Sequence, residues 1–499
     1  MSTPTIQRQS ILSTIVIFAG FGFGALNLIV LQPVILTTEQ WGMTRVVTEM
    51  AVLLASFATL GTTSVIAKFL PFYRRYLPAS QNDLPAITLL VFTAGLIITL
   101  IGLMISKPAM VLLFGKRTSY FHSYYHVISC FVVFQAIFMY FEVLAWFAGK
   151  VVVTNLLKEL LFRILTTVCI VLFAFRIVDF EGFMWLFGCI YLPAVVYLIF
   201  ILWKSKAINL HFRISKVTRR LYKKMISLSS FVFLTSISNI AFVVCDTLFL
   251  ASMYNFSHAA VYSVAQYFSQ VLEVPMRSMQ TSSIPLISEY WRAKNMTGLQ
   301  SIYRKSCINL LIAGVGLGGL IIINLPNIEK FFPAEYAAMV IPVSMLIIAR
   351  WINLGTGLNA IIIQLSTWWR FDFTSTLIYS VIGIPLNYLL IRNFGMLGAA
   401  LANIIAVTLY NSLRFGFLYV KFGLQPFTWR NLIVLVGGII IITGVYAIPN
   451  YSNLYVDGIL RSAVFIALFA YFIIKTKLSE EVQFLWIKWV VQKLPGRIK

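Results

Sequence analysis

Between residues 266 and 280 five polar residues, Gln266, Gln270, Glu273, Arg277 and Gln280, recur at intervals of 4, 3, 4 and 3 in an otherwise apolar stretch. On an unbroken helix that spacing puts all five on one face. Glu273 and Arg277 stand one turn apart, as ion-pair partners do, with Pro275 between them. A structural ion pair accounts for those two alone; the full stripe asks for a polar cavity. Thr235, Asn239 and Asp246 repeat the theme in the preceding apolar run, and Arg350, Asn353 and Gln364 in a later one. Arg163, Arg277, Arg350 and Arg414 all lie inside apolar runs. A guanidinium is always charged and forks onto phosphate oxygens, so the expected ligand is a phosphate-bearing anion rather than a cation. Substrate contacts are expected from Arg277, Arg350, Gln270, Asn239, Arg163 and Arg414. Asp246 and Glu273 are the expected coupling carboxyls, because an acid in a poorly hydrated cavity takes up a proton more readily than one in water.

Other chemistries find little support. The run GVGLGG (314–319) fits a dinucleotide-binding pattern but sits in mid-helix with no strand before it, and no phosphate-binding loop of the GxxxxGK[ST] type exists,. Four scattered histidines, of which only His122 and His126 share a helix face, bring no third ligand for a metal,. Cys130, Cys169, Cys189, Cys245 and Cys307 fall in apolar runs without a CxxC pair and read as core residues,. No catalytic residues, metal or cofactor are expected.

The elements that must carry these residues follow from composition. Of 499 residues 60% are apolar and 11% charged, with a mean hydropathy of +0.88; soluble domains are roughly 45–50% apolar and 25% charged. A soluble enzyme is excluded. Runs long enough to span a bilayer occur near 11–36, 47–70, 85–105, 122–146, 156–178, 183–203, 226–250, 259–288, 306–325, 337–363, 373–391, 397–420, 431–449 and 458–475. The expected class is an all-α polytopic membrane protein of about 14 transmembrane helices. With a cytoplasmic N-terminus, 27 of the 39 Lys and Arg fall on the inner side, seven outside and five within runs. Both termini are therefore expected inside, and the net charge of +23 belongs to anionic lipid surfaces rather than nucleic acid. The basic segment 204–225 should separate two parallel six-helix bundles, 1–203 and 226–420. An appended helix pair, 421–475, and a tail, 476–499, complete the chain. In the tail Ser479 is an N-cap candidate, followed by Glu480, Glu481 and a stripe of Leu485, Trp486, Lys488 and Trp489 suited to lying on the inner surface,.

The layout of six, six and two spans, the basic central loop, DTLFLA (246–251) followed by AVYSVAQYF (260–268), Pro275, and NFGMLGAALA (393–402) together resemble the polysaccharide flippases of the multidrug/oligosaccharidyl-lipid/polysaccharide exporter superfamily. The resemblance implies translocation of a polyprenyl-diphosphate-linked oligosaccharide across the bacterial plasma membrane by alternating access, for O-antigen, capsule or exopolysaccharide assembly. Polysaccharide assembly enzymes would be further partners. Lipid II flippases of the superfamily carry an Arg-Asp pair in the first span and many multidrug exporters an acid there, whereas residues 11–36 hold no charge. The alternatives are a multidrug or small-molecule antiporter of the same superfamily and, from another class, a membrane-embedded polyprenyl-sugar polymerase or acyltransferase. The short outer connections speak against the latter.

Overall fold

The computed structural model describes residues 19–78, 81–114, 120–205, 211–449 and 451–481, with Val16 and Gln483. Among these residues there are helices and no strands. Among the described residues nine helices are long and apolar enough to cross a membrane, or ten if the pair Thr38–Ala58 and Thr62–Tyr76, bent by 45°, is one span. The protein is an all-α, multi-pass membrane protein. The expected runs fall largely on helix where they are described, but several are broken.

Packing groups the chain into two units, Met1–Ala260 and Val261–Lys499. The division falls later than the basic segment 204–225, because the helix after that segment, Lys216–Met253, packs along Thr38–Ala58. In the first unit α1 is Ala19–Ile35, with a π-helical turn over Leu26–Leu31; α2 is Thr38–Ala58 and α3 Thr62–Tyr76. Next come α4 (Leu84–Phe114) and α5 (Tyr120–Phe147). A continuous α6 runs through Val151–Asn155, a second π turn at Leu156–Leu161, and Phe162–Ala174. Then follow α7 (Phe180–Gly188), α8 (Leu192–Lys204), α9 (Lys216–Met253) and α10 (Phe256–Gln270), within which the division falls.

Helix α2 is the core of this unit. A reciprocal Thr37–Gln40 capping box starts it,, and Trp41, Met43, Val46, Val47, Ala51 and Ala55 are wholly buried. Gly42 admits no side chain, since a Cβ there would stand 1.9 Å from the carbonyl oxygen of Phe256. The bend into α3 is made by Leu60 and Gly61 at positive φ (45° and 73°),, and the freed Leu60 carbonyl accepts from Ser229 Oγ at 2.5 Å.

The second unit comprises α11 (Glu273–Arg292), α12 (Met296–Glu329), α13 (Val340–Gly355), α14 (Asn359–Leu365), α15 (Trp369–Phe422), α16 (Trp429–Tyr446) and α17 (Leu454–Thr476). It is built around α12, which touches α11, α13, α16 and α17. The glycines of 314–319 serve close packing: a Cβ on Gly318 would meet the Trp351 ring at 2.6 Å, and one on Gly319 the Phe465 ring at 2.4 Å. Helix α15 is two arms folded at Gly395 (φ 57°, ψ −132°), a backbone state open only to glycine. The arms lie side by side, with Phe371 and Phe417 stacked at 3.8 Å.

Two polar ties fasten the C-terminal part. Buried Arg461 donates to Asp457 at 2.7 Å and to the carbonyls of Val445, Tyr446 and Ile448 at the end of α16, while Asn327 of α12 donates to the same Asp457. Beyond α17, Ser479 Oγ donates to Asn309 Oδ1 at 2.6 Å, Asn309 Nδ2 to Glu481 at 3.2 Å, and Lys305 pairs with Glu480 and Glu481 at 3.0 and 3.3 Å. Leu485, Trp486, Lys488 and Trp489 lie outside the described residues.

Burial pushes the Glu481 carboxyl up, but hydrogen bonds from Asn309 and the backbone, with Lys305 beside it, outweigh this and hold it below the usual carboxylate range. A depressed acid stabilises the fold above its unfolded pKa, about 4.3, and that contribution is lost as pH falls through the lower folded value. Its worth is about 1 kcal/mol or less, since both partners are partly solvated. Hydrogen-exchange protection of the amides at 479 and 483 should therefore stay level from roughly pH 8 to pH 5 and drop below about pH 4. Protection that rises on acidification would contradict the tie.

Candidate functional site

The stripe expected from 266 to 280 is not one helix face. Residues 271 and 272 form a turn between α10 and α11, which puts Gln266 and Gln270 on one helix and Glu273, Arg277 and Gln280 on the next. Pro275 is the cause. It has no N–H to give the carbonyl of Val271, which accepts instead from Val274 at 3.3 Å, while Leu272 donates to Ser269 at 3.2 Å. Proline is tolerated in the first turn of a helix, so α11 restarts at Glu273.

That restart sets Glu273 at the head of α11, where a carboxylate is favoured by the helix dipole. Two guanidiniums converge on it. Arg277, one turn along, donates to Oε2 at 3.4 Å, and Arg350 of α13 donates to Oε1. The Arg277 side chain is 61% exposed and that of Arg350 21%. Two cations share one carboxylate, and the three side chains sum to a formal charge of +1,. Arg350 Nε is buried with no acceptor. Arg350 thus keeps a donor to spare, as an anion-binding site requires,.

The other two expected arginines are placed differently. Arg414 is buried, ion-paired with Asp372 on the facing arm of α15, and stacked over Tyr410 at 3.9 Å. Gln364 completes the Asp372 shell at 2.9 Å. This group is neutral and shielded, which suits a tie between two helix arms better than a phosphate contact. Arg163 in the first unit pairs with Glu159 at 3.2 Å and lies over Phe21 at 5.0 Å; nearby, Lys158 pairs with buried Glu142 at 3.4 Å. The charges here also cancel, although Arg163 Nη1 is buried without an acceptor. This cluster flanks both π turns: Asn27 of the first donates to the Arg163 carbonyl at 2.8 Å and accepts from Thr167 at 2.7 Å. Glu142 and Glu159 are thus both paired within the unit.

Asp246 is buried in α9 next to Cys245, whose thiol donates to it at 3.6 Å. Asn239 is exposed on the same helix and Gln270 ends α10 half-buried. The described structure thus brings Glu273, Arg277 and Arg350 into one group. Within the second unit Arg414 stands outside it, paired with Asp372, while Asn239, Asp246 and Arg163 belong to the first unit. Residues that sequence reasoning passed over are Asp372, Thr356, Asn359 and Asn411; Asn411 accepts from Thr356 (2.8 Å) and Asn359 (2.9 Å) and donates to Asn353 (3.2 Å), the one member the sequence had singled out. The signal for Asp372 was its place at the start of an apolar run that a second run, with Arg414, folds back along. Among the described residues no cluster of His, Cys, Asp or Glu could hold a metal ion.

Residues 6–291 match the family described as polysaccharide biosynthesis protein. No curated protein sequence matches the chain. Among solved structures, the lipid II flippase MurJ in an inward-closed conformation superposes with a TM-score of 0.72 at 15% identity, covering 94% of this chain and 99% of its own. An inward-facing multidrug resistance transporter of the MATE family in the MOP superfamily gives 0.65 at 12%, covering 84% and 98%. A MOP superfamily transporter from Pyrococcus furiosus gives 0.59 at 13%, covering 84% and 95%. At these identities the likeness establishes a shared fold.

If the Arg414–Asp372 pair is a tie, Arg414→Met alone strands a buried carboxylate and should cost about 3–5 kcal/mol. The double variant Arg414→Met, Asp372→Leu should recover most of the thermal midpoint in detergent and retain transport. A double variant that is stable but inactive would return Arg414 to the substrate.

Proposed function

The chain belongs to the polysaccharide biosynthesis protein family, and from that premise we propose that it moves a polyprenyl-diphosphate-linked oligosaccharide from the inner to the outer leaflet of the bacterial plasma membrane by alternating access. The observation that carries the reading is the Arg277–Glu273–Arg350 group. A diphosphate brings several acceptor oxygens, and guanidinium forks match them bidentately. Exposed Arg277 meets the headgroup first; as the phosphate takes over its donors, Glu273 is released from one of its two cations. Arg350 stays behind to hold the remaining charge. The fold shared with a lipid II flippase supports a lipid-linked cargo, and the uncharged run at 11–36 weighs against a cationic one. The orientation with both termini cytoplasmic follows the asymmetry of basic residues, and the basic segment after α8 then faces anionic headgroups. For capsule, O-antigen or exopolysaccharide assembly the flipped molecule is handed to polymerising or ligating enzymes outside.

Energy comes from an ion gradient or from removal of product, since the chain has no phosphate-binding loop. Asp246 and Glu273 are the proposed couplers. Glu273 is engaged by two arginines, so its ion pairing is tied to substrate binding. Asp246 is buried in α9 beside Cys245, whose thiol donates to it.

Flipping of a fluorescent polyprenyl-diphosphate oligosaccharide in proteoliposomes tests both parts. Arg277→Gln and Arg350→Gln should each lower the rate by 10-fold or more, at about 1.5–3 kcal/mol per charged hydrogen bond, with Lys a poor substitute at position 350. Full activity in both Gln variants would remove the cationic site. Wild-type rates should respond to an imposed pH gradient, and Asp246→Asn should flatten that response more than Glu273→Gln; gradient-independent wild-type rates would eliminate proton coupling.

A further inference from the structure

A cleft of about 650 Å3 lies in the second unit between α16 and the helices α12, α13 and the second arm of α15. Its walls are apolar, with Trp351, Phe415, Leu435 and Ile442 among them, and it opens sideways, where Phe427 and Ile439 are 41% and 48% exposed. Along α16 the lining runs from Asn431 to Ile442, about 16 Å at 1.5 Å per residue. That length is one leaflet of a hydrocarbon core about 30 Å thick.

The cleft has a polar end. Asn431 is 7% exposed, lines the cleft, and its Nδ2 has no hydrogen-bond partner. Its orientation is fixed by helix capping: the Thr428 N–H, which can only donate, points at Asn431 Oδ1 at 3.4 Å, and Thr428 Oγ1 donates to the same oxygen at 2.7 Å. The amide oxygen is thus occupied and the –NH2 left over. Beside it Trp429 is 75% exposed and followed by Arg430, the residue types that mark a membrane–water interface. An unmet donor at interfacial depth, heading an apolar trough one leaflet long, is complementary to the ester carbonyl and hydrocarbon of a single lipid chain. We propose that this cleft holds one acyl chain of a membrane phospholipid, its ester carbonyl accepting from Asn431 Nδ2. The polyprenyl chain of a carrier lipid would run far beyond the trough and offers no carbonyl at that place. A resident chain would fill the space between the appended pair and the bundle, and it is independent of what the protein transports.

The test uses the full chain reconstituted in phosphatidylethanolamine–phosphatidylglycerol vesicles containing a trace of phosphatidylglycerol spin-labelled near one chain end. Wild type should show a motionally restricted component. Ser412→Phe and Ile439→Trp, which fill the trough from opposite walls, should abolish it while the thermal midpoint is kept. Asn431→Asp retains the capping oxygen but removes the donor, and should weaken retention about fivefold, the worth of one hydrogen bond. An undiminished restricted component in both folded filling variants would overturn the proposal. So would displacement of the label by polyprenyl phosphate at equimolar amounts, which would assign the trough to the carrier lipid instead.

Discussion

Inside hydrocarbon a charge must find its opposite, and this requirement orders the polar interior of the protein. Arg45 with Glu49, Lys158 with Glu142, Arg163 with Glu159, Arg414 with Asp372 and Arg461 with Asp457 each form an ion pair. Such pairs break even against apolar packing at best; three of the five lie one turn apart in a single helix, while Lys158–Glu142 and Arg414–Asp372 join different helices or arms and so help fix which packs against which. Among the described residues the Glu273 group differs from these, with two guanidiniums on one carboxylate. An imbalance of one charge is tolerable where a side chain reaches water, as Arg277 does, and it marks where an anion has most to gain.

The helices carry this arrangement because they are interrupted at chosen places. Gly61 and the turn before Pro275 each break a helix within an apolar stretch, and Gly395 folds one arm of α15 back along the other. Two π turns widen α1 and α6 where Asn27 meets the Arg163 backbone. Backbone groups freed at such points need new partners, and they find them: Ser229 serves the Leu60 carbonyl and Val274 serves Val271. Interruptions of this kind are common at the binding sites of transport proteins, and the one at Pro275 leads directly into Glu273.

Much of the architecture could be read from the residues, for a physical reason. Apolar runs report the bilayer directly, and an ion pair one turn apart, such as Glu273 with Arg277, is visible as spacing. What escaped was everything set by folding back. Asp372 and Arg414 are joined only because Gly395 lays two arms together, and Asn353, Asn359 and Asn411 meet only through the packing of three helices. The stripe through Gln266 and Gln280 failed for the opposite reason: periodicity presumes an unbroken helix, and Pro275, plain in the sequence, was the sign that it was not.

Arg461 has a bearing on how the chain enters the membrane. Its guanidinium is satisfied by Asp457 within its own helix and by three carbonyls at the far end of α16. A lone Arg within a nascent apolar segment costs up to about 2.5–3.5 kcal/mol at the helix centre, enough to make insertion inefficient. Helix α16 leaves the ribosome first and presents those carbonyls before α17 is complete. The two segments are thereby suited to leave the translocation channel as a hairpin, the earlier helix solvating the charge of the later one, and the order of synthesis becomes part of what makes α17 a membrane helix.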